Sequence, residues 1–224
     1  IILNNNEAIA FGMDGNDNIS GSAKNDAIYG GSGNDHLSSL KGDDVLNGGL
    51  GNDFVHGGAG NDHIIYMGGK DFVVGSSGSD TLDISSIDNA DIKLWFGKEQ
   101  VVDAENSLRI WGVENIITGN GNDVVHGDQY DNVVTVSAGE DEIRLGNGTD
   151  RLKFDTSNDI FYKMWTGINE TSVGKKVVWG IESIETGSGN DTIQGNGGNN
   201  VINTGYGNDF INGFAGSDTI ELLS

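Results

Sequence analysis

The 224-residue chain contains no cysteine and no proline, and it sets only 12 Lys and Arg against 34 Asp and Glu. Without cysteine there is no disulfide and no thiol nucleophile. That does not place the chain in the cytosol, because a metal-stapled extracellular protein can do without disulfides. An average composition would supply about 11 prolines. Their absence suits stacked strands in which each backbone N–H bonds a neighbour, since proline removes a ladder donor. A net charge of −22 argues against nucleic acid or an anionic membrane surface as partner. No apolar run reaches the roughly 18 residues of a membrane-spanning helix, so no membrane insertion is expected. HExxH and GxSxG are both missing, and the Gly-rich loops lack the lysine of a phosphate loop. The chain is therefore read as non-catalytic. It opens without an initiator Met or a signal peptide and is expected to be a segment of a longer protein.

What the chain has is glycine, 37 of them, on a fixed spacing. Gly48 to Asp62 reads GGLGNDFVHGGAGND, two nine-residue units back to back. In steps of nine come Asp17, Asp26, Asp35, Asp44, Asp53, Asp62, Asp71 and Asp80. The register returns at Asp123, Asn132, Asp141 and Asp150, and again at Asp191, Asn200, Asp209 and Asp218. Two residues after each of the first eight stands an aliphatic: Ile19, Ile28, Leu37, Leu46, Val55, Ile64, Val73 and Leu82. The Gly-rich part of each unit predicts a turn, because only glycine enters positive φ freely. The remainder predicts a short strand with one inward residue. One coil then takes two units, so alternate Asp residues line opposite edges. Turn use alone does not explain Asp rather than Asn at 14 of 16 register positions.

These units resemble the calcium-binding nonapeptide GGxGxDxUx of RTX (repeats-in-toxin) proteins. Gly48–His56 and Gly57–Ile65 match it at every fixed position. The resemblance implies an all-β fold, a right-handed parallel β-roll with two nonapeptides per coil. Coils ~4.8 Å apart would bring like carboxylates too close to tolerate without cations between them. Carboxylates with loop carbonyls form the all-oxygen donor set that Ca²⁺ prefers. Same-edge pairs give sites at Asp17/Asp35, Asp35/Asp53, Asp53/Asp71, Asp26/Asp44, Asp44/Asp62, Asp62/Asp80, Asp123/Asp141 and Asp191/Asp209. Asn132/Asp150 and Asn200/Asp218 lack one charge and should bind more weakly. The expected load is thus about eight to ten Ca²⁺. Worn copies at Gly21–Tyr29 and Tyr66–Val74 should also bind weakly.

Residues 1–11 are read as an N-terminal cap or continuation, 12–83 as the regular block, and 84–153 and 154–224 as two modules of insert plus repeat in one continuous solenoid. ADIKLWF (90–96) and SLRIWGVENI (107–116) read as long strands. The two inserts copy each other, because Trp111-Gly112-Val113-Glu114 and Trp179-Gly180-Ile181-Glu182 lie 68 residues apart. The widened inserts resemble the C-terminal β-roll of serralysin-type metalloproteases. Trp95, Trp111, Trp165 and Trp179 all fall in the inserts, where filling a wider coil is the expected role and stacking on sugar rings the alternative. His36, His56, His63 and His126 adjoin inward aliphatics and should face outward.

The reading is a calcium-folded extracellular structural segment of a surface layer, filament or adhesin, secreted by a type I exporter and able to self-associate end to end. The alternative is an accessory module of a secreted metalloprotease, lipase or alginate epimerase, aiding secretion, folding or polysaccharide contact.

Overall fold

The computed structural model describes residues 1–4, 6–94, 100–102, 106–165 and 167–221, and Trp95 lies outside them. Regular structure among the described residues is all β. The chain divides into two compact units, Ile1–Ile117 and Thr118–Ser224.

In the first unit, strands Ile9–Asp14, Ala27–Ser32, Val45–Leu50, His63–Ile65, Thr81–Asp83 and Asn115–Ile117 follow one another in a parallel sheet. Strands Asn18–Ser20, His36–Ser38, Phe54–Ala59, Lys70–Ser77 and Ser107–Trp111 form a second. The register pairs Ile28 with Leu46, Leu46 with Ile64, and Ile64 with Leu82. Each step is one coil of two nonapeptides, so the unit is a parallel β-roll. All eight inward aliphatics of the regular block are at most 1% exposed. Each fully buried side chain of this kind stabilises the fold by about 1.5–3 kcal/mol relative to exposure. Tyr66, in the worn turn, is also buried, and its hydroxyl donates to the Gly69 carbonyl at 2.9 Å.

The second unit repeats the plan. Strands Val133–Val136, Arg151–Phe154, Ser183–Glu185, Val201–Asn203 and Thr219–Glu221 are parallel neighbours, with Val134, Leu152, Ile184 and Ile202 in one buried column. Its other face is two sheets. One holds Val124–His126, Asp141–Arg144 and Gly174–Trp179; the other holds Phe161–Lys163, Thr192–Gln194 and Phe210–Asn212.

The inserts differ from expectation in three ways. SLRIWGVENI is not one strand but two, Ser107–Trp111 and Asn115–Ile117, because Gly112 at φ 57° turns the corner from one sheet to the other. The second insert does the same at Gly180, φ 72°. Each insert also adds one antiparallel strand, Gln100–Val101 against Ser107–Trp111 and Ile168–Thr171 against Gly174–Trp179. Finally, the three described tryptophans do not fill the wider coil. Trp111, Trp165 and Trp179 are 57%, 47% and 46% exposed. In the second unit that space is taken by Ile160 and by Phe154 and Tyr162, whose rings meet edge to face at 5.8 Å. Their positions alternate inward along their strands, whereas Trp111 and Trp179 end theirs on the outward side.

Candidate metal centre

The Gly-rich turns stack as closely as backbone permits. Gly51 has φ 137°, and a Cβ there would collide with the Gly33 carbonyl of the preceding coil. The carbonyl of one turn therefore lies against the glycine of the next along each edge, as Gly33 does against Gly51 and Gly42 against Gly60.

Two side-chain ladders tie these turns together. In the first, the backbone N–H of one register residue donates to Oδ1 of the register Asp one coil later. Asp17 donates to Asp35, Asp35 to Asp53 and Asp53 to Asp71, each at 2.8 Å. The opposite edge runs Asp26 to Asp44, Asp44 to Asp62 and Asp62 to Asp80, at 2.6, 3.0 and 2.9 Å. The second unit has Asp123 to Asp141, Asn132 to Asp150, Asp191 to Asp209 and Asn200 to Asp218, at 2.8–3.0 Å. Every residue pair expected from the spacing is thus brought together. The second ladder runs the other way and uses the residue before the Asp. The N–H of Asn34 donates to Asn16 Oδ1, that of Asn52 to Asn34 Oδ1, and that of Asn61 to Asp43 Oδ1.

Sequence reasoning missed that ladder, although the recurring Asn-Asp pair was its signal. It also missed Glu114 and Glu182. Asp80 N–H donates to Glu114 Oε2 at 2.9 Å and Asp150 N–H to Glu182 Oε2 at 3.0 Å, so each Glu continues a row across an insert. The duplicated Trp-Gly-Val/Ile-Glu was the sign.

One carboxylate oxygen in each ladder is spent; the other is not. The Oδ2 atoms of Asp17, Asp35, Asp53, Asp62, Asp80 and Asp150 are buried with no hydrogen-bond partner. An uncompensated buried carboxylate is expensive, so something must answer it. Burial, helped by neighbouring carboxylates, pushes Asp62 up to about 7 and Asp80 and Asp150 up to about 6; Asp71 also rises to about 7. Among the described residues no three acidic or histidine side chains converge. Further donors must then be carbonyl oxygens. These are at hand: a Cβ on Gly30 would collide with both Asp35 Oδ2 and the Gly48 carbonyl, which face the same small space. An orphaned carboxylate oxygen beside a carbonyl, in an all-oxygen setting, fits Ca²⁺.

Not every turn is alike. Asp26 Oδ2, Asn132 Oδ1 and Asn200 Oδ1 accept the N–H of a residue four earlier in their own turns, at 2.7–2.9 Å. Asp191 Oδ2 accepts the Thr186 hydroxyl, and Asp141 Oδ2 lies 2.8 Å from Lys176 Nζ. Asp209 and Asp218 are half-buried. His36 is exposed and His56, His63 and His126 are partly so, all outward-facing beside the buried aliphatics.

The model of the RTX calcium-binding nonapeptide repeat matches residues 11–46, 31–64, 39–73, 65–83, 117–152, 178–205 and 195–222, well over half of the chain. The chain belongs to the RTX calcium-binding nonapeptide repeat family. No individual curated protein matches it. The RTX repeats bind calcium and are themselves non-catalytic, and the two unmatched stretches between matched ones, 84–116 and 153–177, fall at the two inserts. In the RTX turns, Gly30→Ala should overfill the space between Asp35 and Gly48. The expected cost is about 1–3 kcal/mol, together with weakened calcium binding. Gly197→Ala, where a Cβ meets nothing within 4 Å, should do much less. Calcium-dependent thermal melts of the two variants check this.

Proposed function

We propose that this chain is the calcium-folded β-roll of an extracellular protein and serves there as a structural segment of a surface layer, filament or adhesin. The observation that carries the reading is the row of buried, unpartnered Asp Oδ2 atoms. Asp17, Asp35, Asp53, Asp62, Asp80 and Asp150 would hold the ions with loop carbonyls, joined by the second carboxylates of each pair at Asp26, Asp44, Asp71, Asp123, Asp141, Asp191, Asp209 and Asp218. Asn132 and Asn200 would contribute weaker positions. About eight to ten ions at Kd of ~10⁻⁴–10⁻³ M would leave the chain open where calcium is scarce and fold it outside the cell. That suits export in the unfolded state through a type I exporter. No helix is long and apolar enough to cross a membrane among the described residues.

A second reading, the accessory module of a secreted enzyme in contact with polysaccharide, is favoured by the exposed tryptophans. Trp165 meets Phe214 edge to face at 4.8 Å, and the Arg144 guanidinium lies 5.1 Å from the Trp179 ring. Trp165 and Trp179 line one groove with Glu182 and Asn196. Light scattering on addition of calcium separates the two. Folding with a rise in mass supports the structural segment; folding as a monomer whose Trp fluorescence is quenched by an acidic or neutral polysaccharide supports the module.

A further inference from the structure

One seam of the second unit breaks the acidic pattern. Residues 121–127 read GNDVVHG and residues 174–180 read GKKVVWG. The strands carrying them flank Asp141–Arg144 on its two sides, with Val125 opposite Ile143 and Ile143 opposite Val178. Lys176 is therefore the register partner of Asp141, where the row Asp123, Asp141 would place its next Asp. The backbone reproduces a turn of the row as well. A Cβ on Gly174 would collide with the Gly139 carbonyl, as one on Gly139 would with the Gly121 carbonyl.

The lysine is completely buried, and so is the Asp141 side chain. Its Nζ lies 2.8 Å from Asp141 Oδ2, 2.8 Å from the Gly139 carbonyl and 3.1 Å from the Val173 carbonyl. An ammonium has three donors, and here all three have an oxygen. A carboxylate oxygen and a glycine carbonyl are also the two groups that face the small space at Gly30, where Asp35 Oδ2 and the Gly48 carbonyl meet. The twin module does not share the feature, since the residue opposite Asp71 is Leu108.

We propose that Lys176 is a tethered cation, closing the end of the Asp123–Asp141 row in the place where other turns take calcium. The inference rests on the calcium reading above. An ammonium carried by the chain is present at any calcium concentration and loses no translational freedom on binding. The seam between Asp141–Arg144 and Gly174–Trp179 therefore assembles without metal, and the second unit keeps a fixed strand pair on which calcium-dependent coils can build.

The test is hydrogen exchange on the full chain in chelator and in calcium, for wild type, Lys176→Met and Lys176→Asp, with bound calcium counted in parallel. In chelator, wild-type amides of Glu142–Arg144 and Val177–Trp179 should exchange at least tenfold more slowly than those of Phe54–His56 and Phe72–Val74. Met should abolish that difference, because removing one partner of a buried pair leaves a bare charge. Asp should also abolish it but should bind one ion more than wild type when calcium is supplied. If the wild-type seam opens in chelator as readily as the first unit, or if Met changes nothing, the lysine proposal is overturned while calcium binding elsewhere stands. If Lys176→Asp folds in calcium without the extra ion, the ammonium does not occupy a metal's place. If no calcium binds anywhere, the calcium reading fails first and the stand-in role with it.

Discussion

Asp53→Asn is expected to change the two states of the protein in opposite directions. Asp53 has two jobs: Oδ1 accepts the Asp35 N–H, while Oδ2 is buried without a partner. Asn keeps an oxygen for the ladder and removes the charge. Without calcium, the variant should be at least as stable as wild type, because a neutral amide avoids the cost of a buried carboxylate. With calcium it should lag, and the folding midpoint of the first unit should move up by roughly tenfold, since site affinity follows ligand charge. Asp53→Ala loses both jobs and should be less stable in either condition. Asn200→Ala, in a turn whose Oδ1 already accepts the Asn196 N–H, should leave the first unit's midpoint unchanged. Circular dichroism titrations of the three variants give the comparison. Equal midpoints for Asp53→Asn and wild type would separate the Asp rows from metal binding.

Acid should stabilise the metal-free fold. Burial raises the folded-state values of Asp62 and Asp71 to about 7, against an ordinary carboxylate value near 3.9 in the unfolded chain. The folded chain therefore holds more protons than the unfolded chain between about pH 4 and 7. Its stability falls as pH rises through that window, the reverse of a carboxylate held in a salt bridge. With calcium the dependence inverts. Protons compete with the ion for the same oxygens, and the calcium midpoint should rise as pH drops below about 7. Circular dichroism at pH 5 and pH 8, in chelator and in calcium, should show opposite trends: the chelated chain holds more β structure at pH 5, and the calcium-loaded chain is more stable at pH 8. A chelated chain that loses stability on acidification would contradict the buried-carboxylate account.

Much of this was legible in the residues because the period is strict. A nine-residue step that never slips from Asp17 to Asp80 fixes the coil, the inward column and the Asp partners together. The inserts break that arithmetic. Asp80 reaches its row partner Glu114 across 34 residues, and Asp150 reaches Glu182 across 32, so counting by 18 passes over both. Lys176 escaped for a second reason, since its charge is opposite to that of the row it continues. Trp111, Trp165 and Trp179 were misjudged from hydrophobicity alone. Large apolar residues favour burial, but an exposed one violates nothing, and which side Trp111 and Trp179 face was decided by the strand's alternation.

The most direct measurement is a calcium titration of the chelator-stripped chain at pH 7.5, following circular dichroism and bound calcium together. The account predicts little fixed β structure outside the Lys176 seam before calcium. It then predicts cooperative folding at ~10⁻⁴–10⁻³ M calcium, with several ions taken up per chain. A chain already fully folded in chelator, with no ions bound on titration, would contradict it.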